Sequence, residues 1–469
     1  MPASTAAFFD LDRTVLAGAS GPVLTNALVE AGVLPRRGRL PGERAFYGAY
    51  NLVGETLPFI AMVRAAALFT RGWPLAGVQQ AARSAAGALA DQVRPYARAA
   101  IEEHRESGHL NVLATTTPVE LVRPFAELLG FDDVVATRYA LSDGRLTGGI
   151  DGPFVWGAGK KRAVQRWAES HHVDLATSFA YSDSVFDLPL LRAVGHPHAV
   201  KPDARLRAVA SALGWPVESW ERPDGVAGLG GFELYDVLRP FVRPEMMPLA
   251  RITVEGAGKI PRRGGAVIAA NHRSYFDVVA LAMLARQIGR PVRFLAKREL
   301  FDVPVAGVLA RSLGGIPVDR GSGSDEPLRQ AKRALTAGEL VLILPQGTIP
   351  RGEAFFDPVL RGKTGVWRLA ESTGAPVFPV GLSGTEVVWP RSSKLPKVPV
   401  GAARPDVRVR VGDPLALTGT DARAGVDAVM AAIVALLPEE LRNPVPYTEE
   451  DLARTLPSTR VRTRSPSRK

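Results

Sequence analysis

A chain of 469 residues is long enough for two domains, each with its own core. A hydrophobic fraction of 46% with alternating strand and helix signals indicates globular α/β structure and excludes disorder as the main state. The Cys count of 0 excludes disulfides, thiolate metal sites and a cysteine acyl-enzyme, while a net charge of +11 points to anionic partners such as phosphorylated substrates, anionic lipid or nucleic acid. Met1 to Asp10 has no basic segment followed by an apolar one, so no signal peptide is expected. The nearest approach to a membrane span, Thr56 to Thr70, is short and carries Arg64, which suits peripheral contact better than crossing.

In the first half, Ala6 to Phe9 reads as a strand ending in Asp10-Leu11-Asp12-Arg13-Thr14. Carboxylates at i and i+2 past a strand end can share one face of a loop. One can attack phosphorus while its neighbour exchanges a proton with the leaving group, and both can help hold Mg²⁺. Residues from about 15 to 107 are Ala-, Leu- and Arg-rich at helical spacing and read as a helical insertion over the site. Leu110 to Ala114 is a second strand, ending in Thr115-Thr116-Thr117-Pro118, whose hydroxyls can donate to phosphate oxygens. Lys160, in Gly157-Ala158-Gly159-Lys160, falls at a helix start where its charge can balance a phosphate. Ser178 to Tyr181 is a further strand, and Asp183 and Asp187 form a second acidic pair beyond it.

Each piece alone also suits a capped turn or a solvated lysine; the four in this order do not. The set resembles the haloacid dehalogenase-like phosphatases, in the branch near phosphoserine phosphatase, over roughly residues 6 to 212. The resemblance implies a Rossmann-like core with a helical cap and Mg²⁺ as cofactor. It implies Asp10 as the phosphorylated nucleophile, Asp12 as general acid/base, and Thr115 and Lys160 as phosphate contacts. Asp183 is then the Mg²⁺ ligand beside Asp10 and Asp12, with Asp187 in support.

Trp215 to Gly231 turns Pro- and Gly-rich, which suits a linker. Phe232 to Leu249 mixes apolar residues with Arg239 and Arg243, fitting either a membrane surface or packing on the next domain. Ala266 to Ala270 then reads as a buried strand, followed by Asn271-His272-Arg273-Ser274-Tyr275-Phe276-Asp277 and a helix from Val278. Ser274 is expected to cap that helix. Asp277, in its first turn, can accept a proton from one nitrogen of His272 and leave the other free as a base. Further strands deliver Lys297, Asp319-Arg320 and Gln346-Gly347-Thr348, and Arg351 follows in a loop. Ser324 caps a helix to about Leu335, residues 363 to 370 are helical, and Pro376 to Leu382 completes the series.

The ordered blocks, His272 to Asp277, Gly315 to Arg320, Gln346 to Thr348 and Pro379 to Gly381, resemble the glycerolipid acyltransferases of the lysophosphatidate type over about residues 249 to 437. The resemblance implies acyl transfer from a CoA or carrier-protein thioester to a lipid hydroxyl. His272 would be the base, Asp277 its orienter, and Lys297 and Arg320 the contacts for acceptor phosphate, with Gln346, Gly347, Thr348 and Arg351 also on the substrate. The family usually carries Glu-Gly-Thr-Arg in its third block, where this chain has Gln346-Gly347-Thr348-Ile349. A carboxylate is replaced by an amide and an arginine is displaced to Arg351, which leaves lysophosphatidate first among acceptors and keeps another lysophospholipid or a neutral acceptor open.

From Pro446 the apolar pattern fades into a basic Ser/Pro-containing end, expected to be disordered and suited to anionic headgroups. The expected plan is a phosphatase domain at 1–222, a linker at 223–232, an acyltransferase domain at 233–445 and a tail at 446–469. The expected setting is the cytoplasmic face of the membrane, peripherally bound, with a lysophospholipid and an acyl thioester as substrates and no nucleic-acid partner. No aromatic-basic platform for single strands is evident. Rival readings are a phosphoserine-type phosphatase with a passenger domain and a non-catalytic basic membrane-binding protein.

Overall fold

Uninterrupted apolar runs such as Ala6–Phe9 and Ala266–Ala270 become strands buried on both faces, the pattern of parallel sheets covered by helices. They form the centres of two sheets. The computed structural model describes residues 4–35, 56–223, 226, 228–229, 232–240, 243, 247–319, 324–398, 404–443 and 446–457, and the chain divides into two units, Met1–Asp224 and Gly225–Lys469.

The first unit contains, in order, Ala6–Phe9 (β1), Gly21–Glu30 (α1), Leu57–Ala66 (α2), Leu75–Ala90 (α3), Pro95–Glu106 (α4), Leu110–Thr115 (β2), Val119–Leu129 (α5), Asp133–Ala136 (β3), Arg138–Ser142 (β4), Arg145–Asp151 (β5), Ala158–Ser170 (α6), Phe179–Ser182 (β6), His196–Val200 (β7), Ala204–Leu213 (α7) and Val217–Glu218 (β8). Among the described residues, six strands form a parallel sheet in the order β3-β2-β1-β6-β7-β8. The order reverses direction at β1, so the crevice beyond its carboxyl end is the natural ligand site of such a sheet. Asp10 stands there.

Two expectations for this unit need correction. The helical insertion does not run to 107, because α4 belongs to the core: its His104 bonds the Tyr181 hydroxyl at 2.9 Å and lies edge-on to Phe9. Nor is the cap made of helices alone. The β4–β5 hairpin, from much later in the chain, joins it through Gly72 N donating to Leu146 O (2.8 Å) and Leu146 N donating to Trp73 O (2.9 Å). Backbone pairing between distant segments leaves no local periodic signal. Part of the expected insertion, 36–55, lies outside the described residues.

The second unit contains Leu234–Leu238 (α8), Arg251–Glu255 (β9), Ala266–Ala270 (β10), Asp277–Ile288 (α9), Val292–Lys297 (β11), Ala306–Ser312 (α10), Gly315–Val318 (β12), Glu326–Thr336 (α11), Leu340–Ile343 (β13), Gly365–Thr373 (α12), Val377–Ser383 (β14), Asp406–Val411 (β15), Ala422–Leu436 (α13) and Glu449–Thr455 (α14). Its seven-stranded sheet, among the described residues, runs β9-β15-β14-β10-β13-β11-β12, with only the β14–β15 pair antiparallel. Strand β10 is flanked by β13 and β14 in parallel, so the segments after all three strands leave from one edge. That edge collects the motif residues.

Of the two roles open to the segment after the linker, its described part packs on its own unit. Glu233 takes both terminal nitrogens of Arg293, a buried arginine also held by Glu339, and the Tyr235 hydroxyl donates to Ala285 O at 2.7 Å. Disorder from 446 is corrected too. Helix α14 carries a capping box, Thr448 with Asp451, and its Thr455 is buried, accepting a hydrogen bond from Gly352 N at 2.8 Å. Caps and one buried hydroxyl hold this helix in place of an apolar stripe. Residues 458–469 lie outside the described residues. No helix among the described residues is long and apolar enough to cross a membrane.

Candidate active sites

In the first unit the β1 ladder extends into the site, with Asp10 N donating to Tyr181 O at 3.0 Å. The turn that follows has Arg13 at φ +63°, a strained value for a residue with a side chain. That turn directs the Thr14 hydroxyl between two carboxylates, 3.1 Å from Asp10 Oδ2 and 3.3 Å from Asp183 Oδ1. Asp183 N donates back to Thr14 Oγ1 at 3.0 Å. Lys160, only 2% exposed, bridges Asp10 Oδ1 (2.8 Å) and Asp187 Oδ2 (2.7 Å). A buried ammonium needs such pairing, because desolvation of an unpaired one costs several kcal/mol.

Asp12 faces a different neighbourhood. Ser20 N donates to its Oδ1 at 2.5 Å and the Thr117 hydroxyl to its Oδ2 at 3.5 Å. Burial raises its carboxyl above the ordinary value, against those hydrogen bonds and the Lys160 charge. The protonated form is thereby favoured, which suits a group that must donate a proton.

Of the four carboxylates expected at a metal, Asp10 and Asp183 meet across Thr14. Asp12 is held by Ser20 and Thr117, and Asp187 serves Lys160 and the Ser182 hydroxyl (2.8 Å). Asp187 Oδ1 is nonetheless buried without a hydrogen-bond partner. No group of three or more metal-ligating side chains is gathered among the described residues. Two facing carboxylates are still enough oxygen donors for Mg²⁺, which keeps waters and substrate oxygens as its remaining ligands. Thr115 is buried, and its hydroxyl accepts from Thr117 N at 3.2 Å, shaping the strand-end turn.

Sequence reading missed Arg94. It is 2% exposed and donates from Nε and Nη2 to Arg13 O (3.3 and 3.0 Å) and from Nη2 to Ala17 O (3.3 Å). Its Nη1 pairs with Glu221, which Lys201 also holds. The strained turn after Asp10 is thus clamped by a residue far away in sequence.

In the second unit His272 Nδ1 lies 2.7 Å from Asp277 Oδ2, and Asp277 is fully buried while the His272 side chain is 17% exposed. The same oxygen accepts from Arg273 N (2.7 Å) and Ser274 N (3.0 Å), so the turn that carries the histidine also orients its partner. Three N–H donors around one carboxylate oxygen select the tautomer with the proton on Nδ1 and leave Nε2 as the base. Asn271, the first residue of the motif, makes a two-way amide pair with Leu382 of β14, Nδ2 donating to O at 2.9 Å and N donating to Oδ1 at 2.7 Å. Ser274 does not cap α9, which starts at Asp277. Its hydroxyl accepts from Phe276 N and donates to Trp389 O (2.6 Å), tightening the preceding turn.

His272 opens onto a cavity of about 1480 Å³ lined mainly by apolar residues, among them Leu281, Phe294, Leu309 and Leu342, with Lys297, Gly347 and Thr348 also on its wall. Gln346 faces His272: its Oε1 accepts from His272 N at 2.7 Å. The amide that stands in place of a carboxylate therefore holds the turn that carries His272. Arg351 is exposed and is not among the residues lining the cavity, and Arg320 lies outside the described residues.

The sequence model of the haloacid dehalogenase-like hydrolases matches residues 7–192, and that of the acyltransferase family matches residues 251–383. Over 227 residues, 47% of this chain and 79% of the relative, the chain is 40% identical to the inhibition of morphological differentiation protein of Streptomyces azureus. It is 36% identical over 228 residues to a probable phosphatase of Mycobacterium tuberculosis, covering 47% of this chain and 77% of that protein. Among solved structures it is similar to the 1-acyl-sn-glycerophosphate (LPA) acyltransferase PlsC of Thermotoga maritima, at 23% identity and a TM-score of 0.35, over 43% of this chain and 77% of that one. With Asp10, Lys160 and Asp183 inside the first matched segment and His272, Asp277 and Gln346 inside the second, the chain belongs to the haloacid dehalogenase-like hydrolases in its first unit, and its second unit carries the match to the acyltransferase family model.

Proposed function

We propose that the chain is a bifunctional enzyme of phospholipid synthesis. Its second unit transfers an acyl chain from a CoA or carrier-protein thioester to a lysophospholipid, with 1-acylglycerol-3-phosphate as first candidate and phosphatidate as product. Its first unit is a Mg²⁺-dependent phosphomonoesterase. The observation that carries this reading is the His272–Asp277 pair, 2.7 Å apart, opening onto an apolar cavity of about 1480 Å³. That volume exceeds the roughly 300–1,000 Å³ of ordinary small-molecule pockets and suits a long aliphatic chain.

In the acyl transfer, His272 Nε2 takes the proton of the acceptor hydroxyl as its oxygen attacks the thioester carbonyl. The thiolate then leaves and recovers that proton, while Asp277 stabilises the imidazolium between the two steps. In the phosphatase unit, Asp10 attacks phosphorus, Lys160 balances the phosphate charge, and Asp12 protonates the leaving oxygen and later deprotonates water. Mg²⁺, held by Asp10 and Asp183, would neutralise phosphate charge as the bond breaks.

A membrane-surface setting is supported by Leu300, Val303, Val305 and Val308, all exposed on a segment beside the cavity, and by the net charge of +11. The two activities act in sequence in this reading, phosphatidate made by one unit losing its phosphate to the other. The test is incubation of purified protein with lysophosphatidate and oleoyl-CoA, with and without Mg²⁺, beside the His272→Ala variant. Phosphatidate formed by wild type alone supports the acyltransferase assignment. Its accumulation unchanged with Mg²⁺ rejects the sequential scheme.

A further inference from the structure

The third block of the second unit has Ile349 where an arginine is expected, yet two cations from later in the chain converge on it. Gly347, at φ +70°, lies so close to Lys363 that an added Cβ would be 3.3 Å from its Cε and 3.4 Å from its Nζ. The lysine is fixed at its backbone, Lys363 N donating to Pro345 O at 2.8 Å. Its side chain is exposed and makes no ion pair among the described residues. From much later in the chain, buried Arg391 donates from Nη1 to Ile349 O. Lys363, Arg391, Gly347, Ile349 and His272 all line the same cavity.

The base is tied to this block as well, through Gln346 Oε1 and His272 N. Gln346, which holds the base, directly precedes Gly347, which carries Lys363, and consecutive Cα atoms are about 3.8 Å apart. An anion beside Lys363 therefore sits in the same cavity as the imidazole, on the block that holds the base. A paired arginine alone would serve structure, but a solvent-facing ammonium laid over a glycine that leaves room for it is an arrangement for binding. A guanidinium anchored on the same block and lining the same cavity brings donors whose planar geometry suits phosphate oxygens.

We propose that Lys363 and Arg391 form the site for the acceptor's phosphate, taking the place of the arginine absent from position 349 and setting the preference for phosphate-bearing over neutral acceptors. The inference rests on the acyltransferase reading above. It is tested on the full chain with acyl-CoA as donor, comparing lysophosphatidate with monoacylglycerol as acceptors in wild type, Lys363→Ala, Lys363→Arg and Arg391→Lys. Losing one charge-assisted contact lowers the ratio of kcat/KM for lysophosphatidate to that for monoacylglycerol by about 10- to 100-fold in Lys363→Ala. Lys363→Arg recovers most of that ratio, and Arg391→Lys, which keeps the charge but loses the planar fork, lowers it less. Binding of lysophosphatidate to the His272→Ala protein, followed by calorimetry, weakens by a similar factor when Lys363→Ala is added. An unchanged ratio with an active wild type overturns this inference alone, whereas a wild type that acylates neither acceptor overturns the acyltransferase reading with it.

Discussion

The two units solve the problem of charge in opposite ways. In the first, the cations at the site are matched by carboxylates from the protein: Lys160 sits between Asp10 and Asp187, and Arg13 Nε lies 3.0 Å from Asp183. In the second, the buried carboxylate of the site, Asp277, is met by His272 and two backbone N–H groups, and Lys297 and Lys363 face the cavity from exposed positions. A site for a small, doubly charged phosphate must exist as a compact charge network before substrate arrives. A site for an amphiphile needs apolar volume, and its headgroup can supply the countercharge to cations that stay hydrated until then.

The largest effect expected from this contrast is in the network. Asp10→Asn removes the proposed nucleophile and is expected to lower phosphatase turnover by about 10⁴-fold or more, measured with a generic phosphomonoester, while acyl transfer is unaffected. Residual phosphatase activity near wild type would refute the nucleophile assignment. His272→Ala is the reciprocal cut, lowering acyl transfer by about 10²- to 10⁴-fold with phosphatase turnover retained. If either substitution silenced both activities, the units would not be chemically independent.

A smaller effect separates Asp10 from Asp12. Because burial raises the Asp12 carboxyl, its proton-donating form persists to higher pH than for an ordinary aspartate and is lost as pH rises through that raised value. The contribution of Asp12 to leaving-group release is therefore expected to be lost on the alkaline side of that point. Asp12→Asn keeps the size and one acceptor but carries no proton to give, so turnover drops by about 10²-fold and the alkaline limb flattens. An alkaline limb that survives in Asp12→Asn with the wild-type midpoint would assign the titration to another group.

How much of this was legible depends on how far each contact reaches along the chain. The strand ends carrying Asp10, Asp183, His272 and Gln346 are local patterns, an apolar run followed by polar residues at fixed spacing, and such patterns survive translation into structure. What escaped is set by approach in space. Arg94 clamps a carbonyl 81 residues away, and Arg391 reaches one 42 residues away. The β4–β5 hairpin joins the cap through backbone groups that every sequence possesses. Gln346 shows a subtler limit. Its position was legible, but whether its amide faced substrate or the base depended on β13 running beside β10, which no spacing within the block encodes.

The smallest expected effect bears on why the phosphatase turn holds its shape. Arg13 has φ +63°, a conformation costing about 1–3 kcal/mol for a non-glycine residue, and its carbonyl is the one that Arg94 grips with two nitrogens. If that grip keeps Asp10 and Thr14 in register with Asp183, Arg94→Lys, which retains charge and one donor, should lower phosphatase kcat by about 10-fold with little change in KM. Arg94→Met leaves Arg13 O and Ala17 O without their donor and should lower kcat further, together with the melting temperature of the first unit. A purely structural arginine would move the melting temperature in both variants and leave kcat per folded molecule alone. The discriminating quantity is therefore kcat corrected for the active fraction, titrated with a phosphate-mimicking metal fluoride in each variant. Loss of turnover without loss of titratable sites means that Arg94 acts on the reacting geometry through the turn, and not merely on the fold that surrounds it.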